Sequence, residues 1–159
     1  MMRLAADSDV HLEADVKATH GNKNGFPDGE WVPALSISYE LTKVDTGQKI
    51  TGEFMQMVAN DGPHYGDNVK LAGPGKYHLT LNVSPPGEHF GRHTDKETGV
   101  GPWFKPFAGR LRLHLRRHRK EGRLLMRRRG ALVALAALAG GFVARRPVPP
   151  TRCRCSTLS

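Results

Sequence analysis

The stretch Phe54-Met55-Gln56-Met57-Val58-Ala59-Asn60-Asp61-Gly62-Pro63-His64-Tyr65-Gly66-Asp67-Asn68 decides how the chain is read. It opens as a strand, with Phe54 and Gln56 on one face and Met55 and Met57 on the other. Asn60-Asp61-Gly62-Pro63 then breaks it with strong turn chemistry. His64 follows the turn. A thioether at a strand end and an imidazole past a tight turn can aim at one point, and soft sulfur with a borderline nitrogen is the donor pair of a copper-type site. Taken alone, the pair is better explained by a methionine filling core and a solvated histidine.

Outward from this stretch, alternation of apolar and polar residues recurs. Val10, Leu12, Ala14 and Val16 alternate with His11, Glu13 and Asp15 over residues 9–17, which predicts a strand with one face in the core. His11 and Glu13 are same-side neighbours on its polar face. A second strand is predicted over about 32–44, with Leu35, Ile37, Tyr39 and Leu41 inward. Asp45-Thr46-Gly47-Gln48 turns the chain into a third, predicted over 49–58. A short strand near 68–71 precedes the turn Ala72-Gly73-Pro74-Gly75. The next runs over about 76–83, with Tyr77, Leu79, Leu81 and Val83 inward and His78 outward. His20 falls in a Gly/Asn-rich loop and reads as solvated. In the charged loop 88–101, His93 is the stronger candidate ligand and His89 the weaker. Trp103, Phe104 and Phe107 supply aromatic anchors for the core.

The 159 residues suffice for one domain, and 18 Gly with 11 Pro favour many turns over a helical bundle. Short strands at regular spacing predict an all-β, immunoglobulin-like antiparallel β-sandwich, without the Cys…Trp…Cys pattern of antibody domains. The formal charge of +9 is unevenly spread. Residues 1–107 carry ten Lys/Arg and fourteen Asp/Glu, whereas residues 108–159 carry fourteen Lys/Arg and the single acid Glu121. Both cysteines, Cys153 and Cys155, lie in the basic tail, so the body has no disulfide framework. The amino terminus has no apolar run of the signal-peptide kind. There is no P-loop, Gly-x-Gly-x-x-Gly or Gly-x-Ser-x-Gly element, and no zinc-type cysteine spacing.

Five stretches are specific when taken in order: His-Leu-Glu-Ala-Asp (11–15), Gly-Asn-Lys-Asn-Gly-Phe (21–26), Phe-Met-Gln-Met-Val-Ala-Asn-Asp-Gly-Pro-His-Tyr-Gly (54–66), Gly-Arg-His-Thr-Asp-Lys-Glu-Thr-Gly-Val (91–100) and Trp-Phe-Lys-Pro-Phe (103–107). Together they resemble the periplasmic high-affinity iron-transport protein family of bacteria, over about residues 7–107. The resemblance implies an immunoglobulin-like sandwich, usually a homodimer, that serves a ferrous-iron permease of the inner membrane. It also implies a His/Met site for a copper ion or an iron ion. Carried onto this chain, the site falls on His11, Glu13, Met57, His64 and His93, with Asp61 as an acidic neighbour. Three imidazoles and a thioether suit copper, and the carboxylate adds a hard oxygen for iron or orients a histidine. No enzyme signature accompanies it, and no nucleic-acid partner is expected.

Both ends depart from the family pattern. The chain starts just before His11, where the family has an export signal and a further segment, so the start reads as an internal Met and the chain as written should not be exported. The domain is drawn at 1–107. Residues 108–159 read as a non-native basic tail, helical or disordered. Read one base later, Arg and Leu codons beginning with C would turn the Arg/Leu run from Arg110 into the alternating small and aromatic residues of a strand, and a stop would fall across Leu125-Met126. The run from Met126 to Ala139 looks like the signal peptide of a following gene, its apolar part, 131–139, too short to span a bilayer. A frameshift explains all three. The expected consequence is a sandwich without its closing strand, leaving an unpaired edge, and a tail able to form a basic amphipathic helix with Leu111, Leu115 and His118 on one side.

Three function classes compete. The first is a non-enzymatic metal-binding module of iron or copper uptake or copper storage, which requires the named donors to converge. The second is a nucleic-acid or membrane-surface binder working through the tail, which lacks aromatic residues interleaved for base stacking. The third is a copper oxidase-like enzyme, which needs an open coordination position and a substrate pocket.

Overall fold

The fold is taken from a computed structural model that describes residues 2–117, 124–126 and 153–156. Among the described residues, nine strands form two antiparallel sheets: β1 (Val10–Ala14), β2 (Ser36–Lys43), β3 (Lys49–Glu53), β4 (Met55–Ala59), β5 (Gly62–Val69), β6 (Gly75–Ser84), β7 (Phe107–Arg117), β8 (Leu124–Met126) and β9 (Cys153–Ser156). One sheet has the order β4-β5-β1-β9 and the other β3-β2-β6-β7-β8. The two face each other as an immunoglobulin-like β-sandwich. Apart from a short 3-10 turn at Ala5–Asp7, the described residues form no helix, and none is long and apolar enough to cross a membrane.

The core follows the predicted alternation. Val10, Leu12, Ala14 and Val16 are buried, as are Leu35, Ile37, Tyr39 and Leu41, and Tyr77, Leu79, Leu81 and Val83. His78 points outward and is exposed. Two tyrosines tie the sheets together. Tyr39 on β2 donates to Asp67 Oδ2 on β5 at 2.8 Å. Tyr65 on β5 donates to the Val32 carbonyl at 2.8 Å and accepts from the Leu35 N–H at 2.9 Å. Burial raises both phenols: Tyr39 well above the usual range, with the Asp67 carboxylate adding to the effect, and Tyr65 to about 12.

The strand predicted over 49–58 is two strands in different sheets. Phe54 is the hand-over residue: it is buried, its N–H bonds the Ile37 carbonyl at 2.8 Å, and its ring lies 5.2 Å from that of Tyr39. Before it, β3 pairs with β2; after it, β4 pairs with β5. Continuous alternation through 49–58 hides this switch, because alternation records which residues face inward and not which sheet they belong to.

The strand predicted near 68–71 begins instead at Gly62. Only Asn60 and Asp61 turn, and Ala59 already pairs with Gly62, which takes a φ of 122°. Pro63 is tolerated because β5 has a single neighbour at that point, β1 reaching only as far as Tyr65. His64 is therefore within a strand and not past a loop.

The largest correction concerns the tail. Residues 107–117 form neither helix nor disorder but β7, which pairs with β6 from Val83↔Phe107 to Gly75↔Leu115. The expected bare edge at β6 is covered, and β7 crosses the boundary drawn at 107/108. Leu111 and Leu115 are buried, while Arg110 and Arg112 are exposed. The Arg-Leu-Arg-Leu-His-Leu run has period two, and an open apolar sheet edge rewards that period over a helical one. His118, the apolar run at 131–139 and most of the signal-like segment lie outside the described residues.

Candidate metal centre

The outer face of the first sheet is where the candidate ligands meet. On β1, the inward set Val10, Leu12 and Ala14 leaves His11 and Glu13 pointing away from the core. On β5, Tyr65 and Val69 point inward, so His64, Gly66 and Asn68 share the outer face with them. Antiparallel pairing sets His11 opposite Asn68 and Glu13 opposite Gly66, and on the other flank of β5 it sets Met57 opposite His64. Three adjacent strands thus contribute two imidazoles, a carboxylate and a thioether to one patch.

Ligand atoms of His11, Glu13 and His64 lie within 4.8 Å of one another. His11 Nε2 is 3.7 Å from Glu13 Oε1, and the two imidazoles meet edge to face with centroids 5.8 Å apart. Metal–nitrogen bonds of about 2 Å would bring such atoms to roughly 4 Å or less from each other, a change within the reach of small rotamer movements. The patch is shielded although it lies on an outer face. His64 is 6% exposed, and the side chains of His11 and Glu13 are 12% and 17% exposed.

Gly66 makes the space. A Cβ there would come within 2.7 Å of His11 Nε2 and 3.3 Å of the Leu12 carbonyl oxygen, so the missing side chain is the cradle for the His11 ring. Asn68, 7% exposed, lies within 2.7 Å of His11 Nδ1 through its Oδ1, and its Nδ2 donates to the Arg3 carbonyl at 2.7 Å. Neither residue was singled out from sequence. Once β5 is started at Gly62, both alternate with His64 on one face, and that register is the signal that would have found them.

Two of the expected site residues stand elsewhere. Asp61 occupies the turn between β4 and β5, is exposed, and is outside the cluster. His93 is exposed on the loop between β6 and β7 and is likewise outside it. Its Nδ1 lies 3.2 Å from the Thr98 hydroxyl, and its carbonyl accepts from the Val100 N–H at 2.9 Å. The Thr98 backbone N–H and hydroxyl bond Asp95 and hold its carboxyl below the usual range. The same loop is anchored further along: Arg92 bonds the Gly101 carbonyl and lies 5.6 Å from the centre of the Trp103 ring, and Gly101 bonds Lys23. His20 is exposed, as expected.

Residues 1–114 match the family described as Fe2+ transport protein. A UPF0423 protein of Brucella abortus (strain 2308) is 70% identical over 110 residues, covering 67% of this chain and 60% of its own length. The 34 kDa membrane antigen of Treponema pallidum (strain Nichols) is 35% identical over 107 residues, covering 64% of this chain and 52% of its own. The chain thus spans little more than half the length of these relatives. Among solved structures, FetP of uropathogenic Escherichia coli strain F11 superposes with a TM-score of 0.68 at 55% identity, covering 70% of this chain and 74% of FetP. Copper-reconstituted P19 of Campylobacter jejuni superposes with a TM-score of 0.69 at 47% identity, covering 72% of this chain and 77% of P19.

Proposed function

The chain belongs to the Fe2+ transport protein family, and from that premise we propose that it is a non-enzymatic periplasmic metal-binding protein of a ferrous-iron uptake system. His11, Met57 and His64 hold a copper or iron ion, with Glu13 as the adjoining carboxylate. The observation that carries this reading is the convergence of His11, Glu13 and His64 on one shielded patch, with Met57 directly across the ladder from His64. Two imidazoles and a thioether favour copper, and the carboxylate supplies the harder oxygen that iron prefers. That the similar protein P19 is known in a copper-reconstituted form supports a copper-binding reading. Iron is then passed to an inner-membrane permease.

His93 belongs to this proposal in a different way. In one chain it sits on an anchored loop outside the cluster, so its contribution is assigned to a homodimer in which the loop of a second copy approaches the site. Sedimentation and copper titration of His93→Ala test this: weaker binding with an intact dimer supports it, and unchanged binding removes His93 from the set.

Calorimetric titration of the metal-free protein with copper tests the main reading. The expected result is saturable uptake of about one ion per chain, lost on combining Met57→Leu with His64→Ala, since sulfur and imidazole ligands set affinity for this metal. Unchanged affinity in that double variant overturns the site. Stoichiometric binding without turnover of ferrous iron separates the reading from a copper oxidase.

A further inference from the structure

We infer that Asn68 is a positioning residue that locks His11 into the tautomer with its proton on Nδ1, so that the Nε2 lone pair is the one offered to the shared site. The inference rests on the metal-binding reading above and extends it to a residue that is not itself a ligand.

The carboxamide of Asn68 has one acceptor and one donor end, and the structure engages both. Its Nδ2 donates to the Arg3 carbonyl at 2.7 Å, and its Oδ1 lies 2.7 Å from His11 Nδ1. The reverse orientation would press Oδ1 against the Arg3 carbonyl oxygen, two acceptors with no proton between them, at a buried position where an unmade hydrogen bond is expensive. The backbone carbonyl of Arg3, which can only accept, therefore fixes which end of the amide faces His11. An acceptor facing Nδ1 at that distance requires Nδ1 to carry the proton.

A neutral imidazole has one proton, so Nε2 is left with its lone pair. Nε2 is the atom that lies 3.7 Å from Glu13 Oε1 and occupies the space left open at Gly66. His64 repeats the arrangement more loosely, with Nδ1 facing the Gly62 carbonyl 3.4 Å away. The amino-terminal segment thereby reaches the site through one carbonyl and one amide, without contributing a ligand.

Long-range proton–nitrogen NMR of the metal-free full chain, with 15N-labelled histidine at alkaline pH, reads the tautomer directly. The expected spectrum has His11 protonated on Nδ1. Asn68→Leu should shift it toward the Nε2-protonated form that a free histidine side chain favours and weaken copper binding roughly 10–100-fold, the usual effect of removing a partner behind a ligating histidine. Asn68→Asp keeps the acceptor facing Nδ1 and should retain the tautomer, while its second oxygen meets the Arg3 carbonyl and lowers stability, so the tautomer readout separates positioning from loss of packing. A wild-type His11 protonated on Nε2 overturns the inference, as does Asn68→Leu with tautomer and affinity unchanged. The Nδ1-protonated form in a wild-type protein that takes up no copper supports the Asn68 assignment and overturns the metal reading alone.

Discussion

The outer faces of the two sheets present histidines in similar places and opposite circumstances. On the first, His11 and His64 stand on β1 and β5, shielded from solvent and facing each other, with Glu13, Gly66 and Asn68 arranged around them. On the second, His78 on β6 lies opposite Arg112 on β7 and Thr42 on β2, with Arg110 close by, and is exposed. Both faces alternate correctly and both pair fully. What separates them is the company each imidazole keeps. A carboxylate, a glycine gap and a buried amide surround the first pair as the proposed cation site requires; guanidinium groups in open solvent would repel a cation from the second.

The sharpest way to break this contrast is to delete one histidine from each face. His64→Ala should lower copper affinity on the order of 100-fold or more, since removing only the partner behind a ligand already costs roughly 10–100-fold. His78→Ala should leave the calorimetric titration unchanged. Equal losses from both would mean that position on the first face confers nothing special.

Gly66→Ala probes the gap itself. The added methyl collides with the His11 ring and the Leu12 carbonyl, so copper affinity should fall by tens-fold and the unfolding free energy should drop by about 1–3 kcal/mol, as overpacking does. Met57→Leu keeps volume and removes sulfur. It should weaken Cu(I) binding about tenfold and change stability by less than about 1.5 kcal/mol, measured by competition titration and denaturant unfolding.

The smallest effect is one of pH on the tyrosine beneath the site. Tyr65 keeps its proton until about pH 12 in the folded protein, whereas an unfolded tyrosine loses it near about 10. Between those values the unfolded state binds fewer protons, so stability falls as pH rises, and it is undiminished by this group below about 10. Denaturant midpoints at pH 9 and pH 11.5 should differ in that direction. Tyr65→Phe should flatten the slope while lowering stability overall, because the Val32 carbonyl and Leu35 N–H lose their partner.

Much of this was open to inspection in the amino-acid order. Alternation placed the inward residues of β1, β2 and β6, and turn chemistry bounded most strands, because one buried face imposes period two without reference to distant parts of the chain. His11, Glu13, Met57 and His64 were identified through resemblance and are brought to one face. Asn68 and Gly66 were not, because their importance depends on a register two strands wide that no local pattern encodes. His93 was grouped with the cluster but stands on a separate loop. In the Arg/Leu run the two periods overlap, and the expected helix or disorder gives way to β7. Leu111 and Leu115 had the spacing of a buried strand face as well as that of a helix stripe, and only the vacancy beside β6 decides between them.

The single-residue passage at Phe54 has a mechanical consequence. With no slack between β3 and β4, the layers cannot slide past each other without dragging the methionine strand along. The placement of Met57 against His64 is thus inherited from how β3 seats on β2, in the opposite sheet. A slip of one residue there would turn Met57 away from the His64 imidazole, so the thioether's position is metered by a hairpin in the opposite sheet.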